Sequence, residues 1–191
     1  MKKILGLALL CALANGAAVQ AAETTYSIDP NHTHATFAFQ HLGFSTFYGK
    51  VPARAGTIVL DRAAKTGRIE VEFDPKAVAT GVPKFEEHLR SADFFEVAKH
   101  PTASFKSSRI TFENDVPKEV AGALTIKGIS RPVTLQVHSF HCADHPMAKV
   151  PACGANATAS IKRSEYGMEY GLQAVPDEIK LEIEVEAMQK K

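Results

Sequence analysis

"IKLEIEVE", residues 179–186, decides the fold. Ile179, Leu181, Ile183 and Val185 alternate with Lys180, Glu182, Glu184 and Glu186. Successive side chains of a strand point to opposite faces, so this strict period of two predicts a β-strand with one buried and one wet face. Ile69, Val71 and Phe73 alternate with Arg68, Glu70 and Glu72 in the same way. Val133, Leu135 and Val137 mark another such strand, and Val120, Leu124 and Ile126 one more, the two divided by a turn at Lys127-Gly128. Lys65-Thr66-Gly67, Asn114-Asp115 and Pro117 add further turn signals. The pattern predicts eight or nine strands, near 25–29, 34–42, 54–61, 68–74, 102–112, 119–126, 132–140, 155–162 and 178–187.

Many antiparallel strands joined by short turns form a sandwich or a barrel. A closed eight-stranded barrel has an interior just wide enough for one small ligand. On the strand near 34–42, Phe37, Phe39 and His41 share one face, while His32, His34, Thr36 and Gln40 share the other. The aromatic face is expected to point inward. His32 and His34 lack a third ligand nearby, so solvated strand histidines are preferred to a metal site, and no metal or cofactor is expected.

One segment breaks the period. Within "EEHLRSADFF", residues 86–95, an ideal helix of about 83–92 puts Phe85, Leu89 and Ala92 on one arc with His88 at its edge. Glu86 and Arg90 form an i,i+4 pair on the opposite side, and Pro83 suits the first turn. A short amphipathic helix in a meander has to cover something apolar, so it reads as a lid or plug on an internal apolar cavity. Phe94 and Phe95 point opposite ways on an extended chain, which predicts one inside and one against the helix. The candidate lining is therefore Phe37, Phe39, His41, Phe85, His88, Leu89, Phe94, Phe95 and Phe105. His41 and His88 are the polar groups placed beside apolar ones, each either a contact for a ligand's polar end or a satisfied structural histidine. Arg90 suits an anionic group chemically, but its helical position points it away from the apolar arc.

The ends of the chain narrow the class. Lys2 and Lys3, the apolar run Ile4–Ala14 and the small residues 17–21 read as a secretory signal peptide over residues 1–21, leaving one domain over 22–191. The apolar run is too short to span a bilayer as a helix. Without residues 1–21 the chain has 20 basic and 21 acidic residues, which gives no electrostatic footprint for nucleic acid. Cys142 and Cys153 remain after cleavage. In an oxidising compartment they read as a disulfide worth about 3 kcal/mol, the alternative being a metal site with His138, His141 and His145.

Four stretches carry a resemblance: "YSIDPNHTHATFAFQHLGF" (26–44), "ATGVPKFEEHLRSADFFEVAKHPTASFKS" (79–107), "GALTIKGISRPVTLQV" (122–137) and "SIKRSEYGMEYG" (160–171). Together they resemble the YceI family of secreted polyisoprenoid-binding, lipocalin-like proteins, over nearly the whole of 22–191. The resemblance implies a mainly β, eight-stranded antiparallel lipocalin-like barrel in the periplasm, holding a long apolar lipid such as a polyisoprenoid, an isoprenoid quinone or a fatty amide. Two departures stand out: the cysteine-closed stretch 142–153, and Glu165-Tyr166 where the family usually reads Asp-Phe.

Two other classes compete with lipid binding. Ser91 and Asp93 lie close to His88, yet the chain has neither G-x-S-x-G nor H-E-x-x-H, so no catalytic residue is assigned. The other is a stress-linked accessory or chaperone protein of a membrane redox system. A homodimer and transient contact with a membrane or membrane protein stay open.

Overall fold

Nine β-strands follow one another along residues 23–190, the part of the chain that the computed structural model describes. They are β1 (Thr24–Ile28), β2 (His34–His41), β3 (Ser45–Asp61), β4 (Thr66–Phe73), β5 (Ala103–Glu113), β6 (Val116–Ile126), β7 (Ile129–Asp144), β8 (Pro151–Lys162) and β9 (Glu178–Gln189). One helix, α1 (Pro83–Arg90), lies between β4 and β5, and short 3-10 turns occupy Pro75–Ala77 and Arg163–Tyr166. The signal-peptide reading of residues 1–21 falls outside the described residues.

From β2 onward each strand pairs antiparallel with the next, and β9 returns to pair with β2 and β1, closing a barrel. β1 and β2 share one position in it. Tyr26 of β1 sits between Ile58 and Gln189, and Phe37 of β2 sits between Gly49 and Leu181. Nine strands therefore make eight staves. Thr33, 1% exposed, holds the break between β1 and β2: its hydroxyl bonds the backbone N and O of Glu186 at 3.2 Å each, and its carbonyl accepts from Ala53 N at 2.9 Å.

The strand expected at 54–61 begins at Ser45 and runs for 17 residues, with a register shift between Ala53 and Ala55. Gly49 and Pro52 mask its first half, and both have structural reasons. A Cβ at Gly49 would collide with the tip of the Phe37 ring from the neighbouring strand, and one at Gly122 would come within 2.6 Å of the Phe105 ring. Each glycine makes room for an inward phenylalanine. Pro52 gives its carbonyl to Asp74 N at 2.9 Å, where the chain leaves β4.

Turns at Asn114-Asp115 and Lys127-Gly128 have positive φ at both central residues, the type I′ form whose twist suits a two-residue hairpin. Cys142 and Cys153 face each other across β7 and β8, bonded, with Cα atoms 4.1 Å apart. The bridge thus pins a ladder whose strands extend beyond the expected 132–140 and 155–162, and the loop proper is only 145–150. The nearby histidines hold separate posts: His138 Nε2 meets Thr158 Oγ1 at 2.6 Å, and His145 Nδ1 accepts from the amides of Met147 and Ala148.

Candidate ligand cavity

The inward faces of the strands do not meet in the middle. They enclose a cavity of about 740 Å³, within the range of small-molecule sites. Its β9 lining is Ile179, Leu181, Ile183 and Val185, the face singled out by the period-two pattern. Six residue steps from Ile179 to Val185 span about 20 Å along the strand, so the space is a tube rather than a round hole.

All nine residues named as candidate lining border this space. Phe37 and Phe105 are buried along the wall. Phe39, His41, Phe85, His88, Leu89, Phe94 and Phe95 gather at the end where β2 meets β3 and where α1 lies. The opposite-facing expectation for Phe94 and Phe95 is corrected. The chain there is a tight turn, closed by Phe95 N to Leu89 O at 2.9 Å and Glu96 N to Ser91 O at 2.8 Å, so strand alternation does not apply and both rings border the cavity.

An aromatic row crosses this mouth. Ring centroids lie 5.4 Å apart for Phe39 and Phe47, 5.3 Å for Phe47 and Phe85, 6.4 Å for Phe85 and Phe94, and 6.0 Å for Phe94 and Tyr170. Most contacts are edge-to-face, the geometry that aromatic quadrupoles favour. Phe47 and Tyr170 escaped the sequence reading. Phe47 could have been found from the hairpin, since it stands directly across from Phe39. Tyr170 lies in the irregular 163–177 connection, where no period signals a facing.

Three groups tie the lid down. Arg90 donates from Nε to Lys76 O at 2.8 Å and from Nη2 to Val78 O at 3.4 Å, and lies 3.6 Å from Glu86. It is not part of the lining, which bears out its outward placement. Glu86 accepts from the amides of Thr80 and Gly81 at 2.7 and 3.0 Å, bonds that hold its carboxyl below the usual range and satisfy donors just ahead of the helix. Lys127 Nζ donates to Ala92 O and Gly167 O at 3.0 Å each, joining the helix end to the β8–β9 connection.

That connection hangs on Arg163, 4% exposed. It donates from Nε to Pro176 O, from Nη1 to Met168 O and Tyr170 O, and from Nη2 to Val175 O, at 2.7 to 3.1 Å. Burial pushes its guanidinium down from its ordinary value, and the charge of Asp177 opposes the shift. With four carbonyls satisfied, Arg163 shapes the mouth rather than offering a free cation to a ligand.

The polar side chains at the mouth are few. His88 Nε2 meets Asp93 Oδ2 at 2.8 Å, and its ring packs edge-on against Tyr170 at 4.7 Å and Phe94 at 5.0 Å. Ser91 Oγ accepts from Asp93 N at 3.3 Å, and among the described residues no hydrogen bond joins it to His88. His32 and His34 pair with different carboxylates, Asp29 at 2.7 Å and Glu184 at 2.9 Å.

Comparison with known proteins agrees with this geometry. Residues 26–187 match the profile of the YceI-like domain. The chain is 32% identical to Protein YceI of Salmonella arizonae and of Salmonella dublin over 191 residues, covering all of this chain and 99% of theirs. Among solved structures it superposes on Burkholderia cenocepacia BcnA with a TM-score of 0.68 at 21% identity, over 83% of this chain and 98% of that one. It superposes on the Campylobacter jejuni YceI protein at 0.64 and 26% identity, over 79% and 90%. A polyisoprenoid binding domain from Saccharophagus degradans gives 0.61 at 13% identity, over 87% and 99%.

Proposed function

Because the chain belongs to the YceI-like domain family, we propose that it binds one long-chain amphiphilic lipid inside its barrel and carries or stores it without chemical change, after export to the periplasm. The observation that carries this reading is the apolar tube of about 740 Å³ under an aromatic lid. Each buried methylene contributes about 0.8 kcal/mol, so one five-carbon isoprene unit contributes several kcal/mol before association costs. A polyisoprenoid, an isoprenoid quinone or a fatty amide fits such a site, and the polyisoprenoid binding domain of Saccharophagus degradans shares the fold. The polar end of the ligand stays at the mouth, against His41 or His88. Export is supported by the sequence pattern of residues 1–21.

Organic extraction of the purified exported protein, followed by mass spectrometry, tests the reading through a stoichiometric lipid. Phe39→Asp and Leu89→Asp put an unpaired charge against the apolar chain and should empty the cavity. Gln40→Asp introduces a carboxylate on the outer face, where Gln40 now donates to Thr46 at 2.7 Å, and should retain the lipid. Full lipid in folded Phe39→Asp, or equal loss in Gln40→Asp, refutes the site.

A further inference from the structure

Large apolar side chains that stand in water are concentrated at one end of the barrel. Leu42 is 53% exposed, Phe44 89%, Tyr48 54%, Val82 44% and Tyr170 57%. Leu42, Phe44, Val82 and Tyr170 lie on the β2–β3, β4–β5 and β8–β9 connections, all at the mouth, and Tyr48 lies on β3 just beyond the hairpin. Val82 and Tyr170 also border the cavity, and the aromatic row joins these connections across the opening. At the far end only Met147, in the β7–β8 loop, is comparably exposed among the described residues.

The tip itself is unusual. Phe44 N donates to His41 O at 3.0 Å, closing a turn in which both Leu42 and Gly43 have positive φ, 53° and 78°. Asparagine is favoured at the first of these positions and a bulky apolar residue is not. The fold holds a leucine there, in strain, with its side chain in water. Residues 41–49, "HLGFSTFYG", contain no Lys, Arg, Asp or Glu in a chain that is 23% charged. Charges resume at Lys50 and, on the helix, at Lys84 and Glu87. Just ahead of the stretch, Gln40 Nε2 donates to Thr46 Oγ1 at 2.7 Å on the outer face.

We propose that this hairpin inserts into the surface of a lipid bilayer and seats the cavity mouth against it, so that the ligand passes between membrane and barrel without crossing water. The proposal rests on the lipid-binding reading for its purpose. Its occupant follows from size and charge. Five scattered side chains expose a patch of a few hundred Å², whereas a stable protein interface buries about 800 Å² per partner. A protruding, uncharged tip is suited to a fluid apolar phase. From Phe44 to Tyr48 is four residues, about 13 Å along the strand, or roughly 9 Å of depth once a tilt near 45° is allowed for. With Phe44 among acyl chains, Tyr48 and Tyr170 then reach the level of the head groups, where tyrosine is enriched.

The test uses the full exported chain and vesicles of phosphatidylcholine and phosphatidylethanolamine, with the bound fraction measured by co-flotation at low and high salt. Binding that does not weaken with salt is expected. Phe44→Ser should lower it at least about tenfold. Leu42→Asn should lower it several-fold while raising the denaturation midpoint, a combination that general loss of folding does not produce. Met147→Ser, at the far end, should bind as the parent does. Failure of the parent to float, equal loss in Met147→Ser, or a dimer that Phe44→Ser turns into a monomer overturns the proposal. Co-purified lipid is measured on the same samples. Lipid without flotation refutes docking alone, and flotation through the hairpin by an empty barrel supports docking while refuting the lipid-binding reading.

Discussion

Replacing Tyr166 by phenylalanine removes a single oxygen, and the structure predicts that the protein becomes more stable. Tyr166 is fully buried in the 3-10 turn after β8, and its hydroxyl has no hydrogen-bond partner among the described residues. An unpaired buried hydroxyl costs about 1–3 kcal/mol. Against this, the void left by one oxygen forfeits a few contacts of about 0.1–0.2 kcal/mol each. The net gain is about 0.5–2 kcal/mol, or roughly 2–6 °C in Tm for a domain of this size. Urea denaturation followed by circular dichroism, with calorimetry for Tm, measures it. A second arm uses pH. Burial, aided by the charge of Glu165, raises the phenol from 10.0 to about 12. A group whose pKa is higher in the folded state contributes stability that is complete below its unfolded value and is lost as pH rises through the folded value. The parent should therefore weaken between pH 10 and 12 by more than Tyr166→Phe does. A variant destabilised by more than about 1 kcal/mol, with an unchanged alkaline limb, would show that the hydroxyl is paired and refute the reasoning.

Gly49→Ala drives a methyl group into the Phe37 ring and should cost about 1–3 kcal/mol, read by the same denaturation, while a neutral result would mean that the ring has room to move. Arg163→Met leaves the carbonyls of Met168, Tyr170, Val175 and Pro176 without their donor and should cost at least about 3 kcal/mol, with faster amide exchange across 168–176; unchanged exchange there refutes the clamp. His32 titrates above its ordinary 6.5 because Asp29 accepts its ring N–H and lies beside it, and Asp29 titrates below its own ordinary value for the reciprocal reason. The His32 contribution to stability is present at low pH and lost as pH rises through its raised pKa, whereas that of Asp29 is lost as pH falls. In Asp29→Asn the His32 midpoint, followed by NMR, should drop, and an unmoved midpoint counts against the pair.

The sequence showed its facing wherever a strand has water on one side. β4 and β9 alternate strictly because every second residue meets solvent, so their cavity faces could be read residue by residue. The first half of β3 hid itself, because its inward positions include a glycine whose missing side chain is filled by Phe37 from the next strand. That compensation is between strands, and a one-dimensional pattern does not carry it. Phe94 and Phe95 were misjudged by applying strand alternation to what is a tight turn. Arg163 carries no signal in the sequence, since its four acceptors are carbonyls that only the closed connection brings together. Tyr166 was noticed only as a departure from Asp-Phe, and its cost became visible once the hydroxyl was seen to be buried alone.

The shared stave also dictates an order of events when the chain folds. Pairings from β2 to β9 in succession join neighbours in sequence and can zip locally, whereas Tyr26 meets Gln189 only after almost the whole described chain has been brought round. Loop-closure entropy makes such end-to-end contacts late. Until that seam shuts, the inward side chains form the open face of a curved sheet, and the tube has no wall on one side. The site is therefore expected to be completed only when that seam shuts, and a lipid that occupies only the closed barrel would hold the seam shut by mass action.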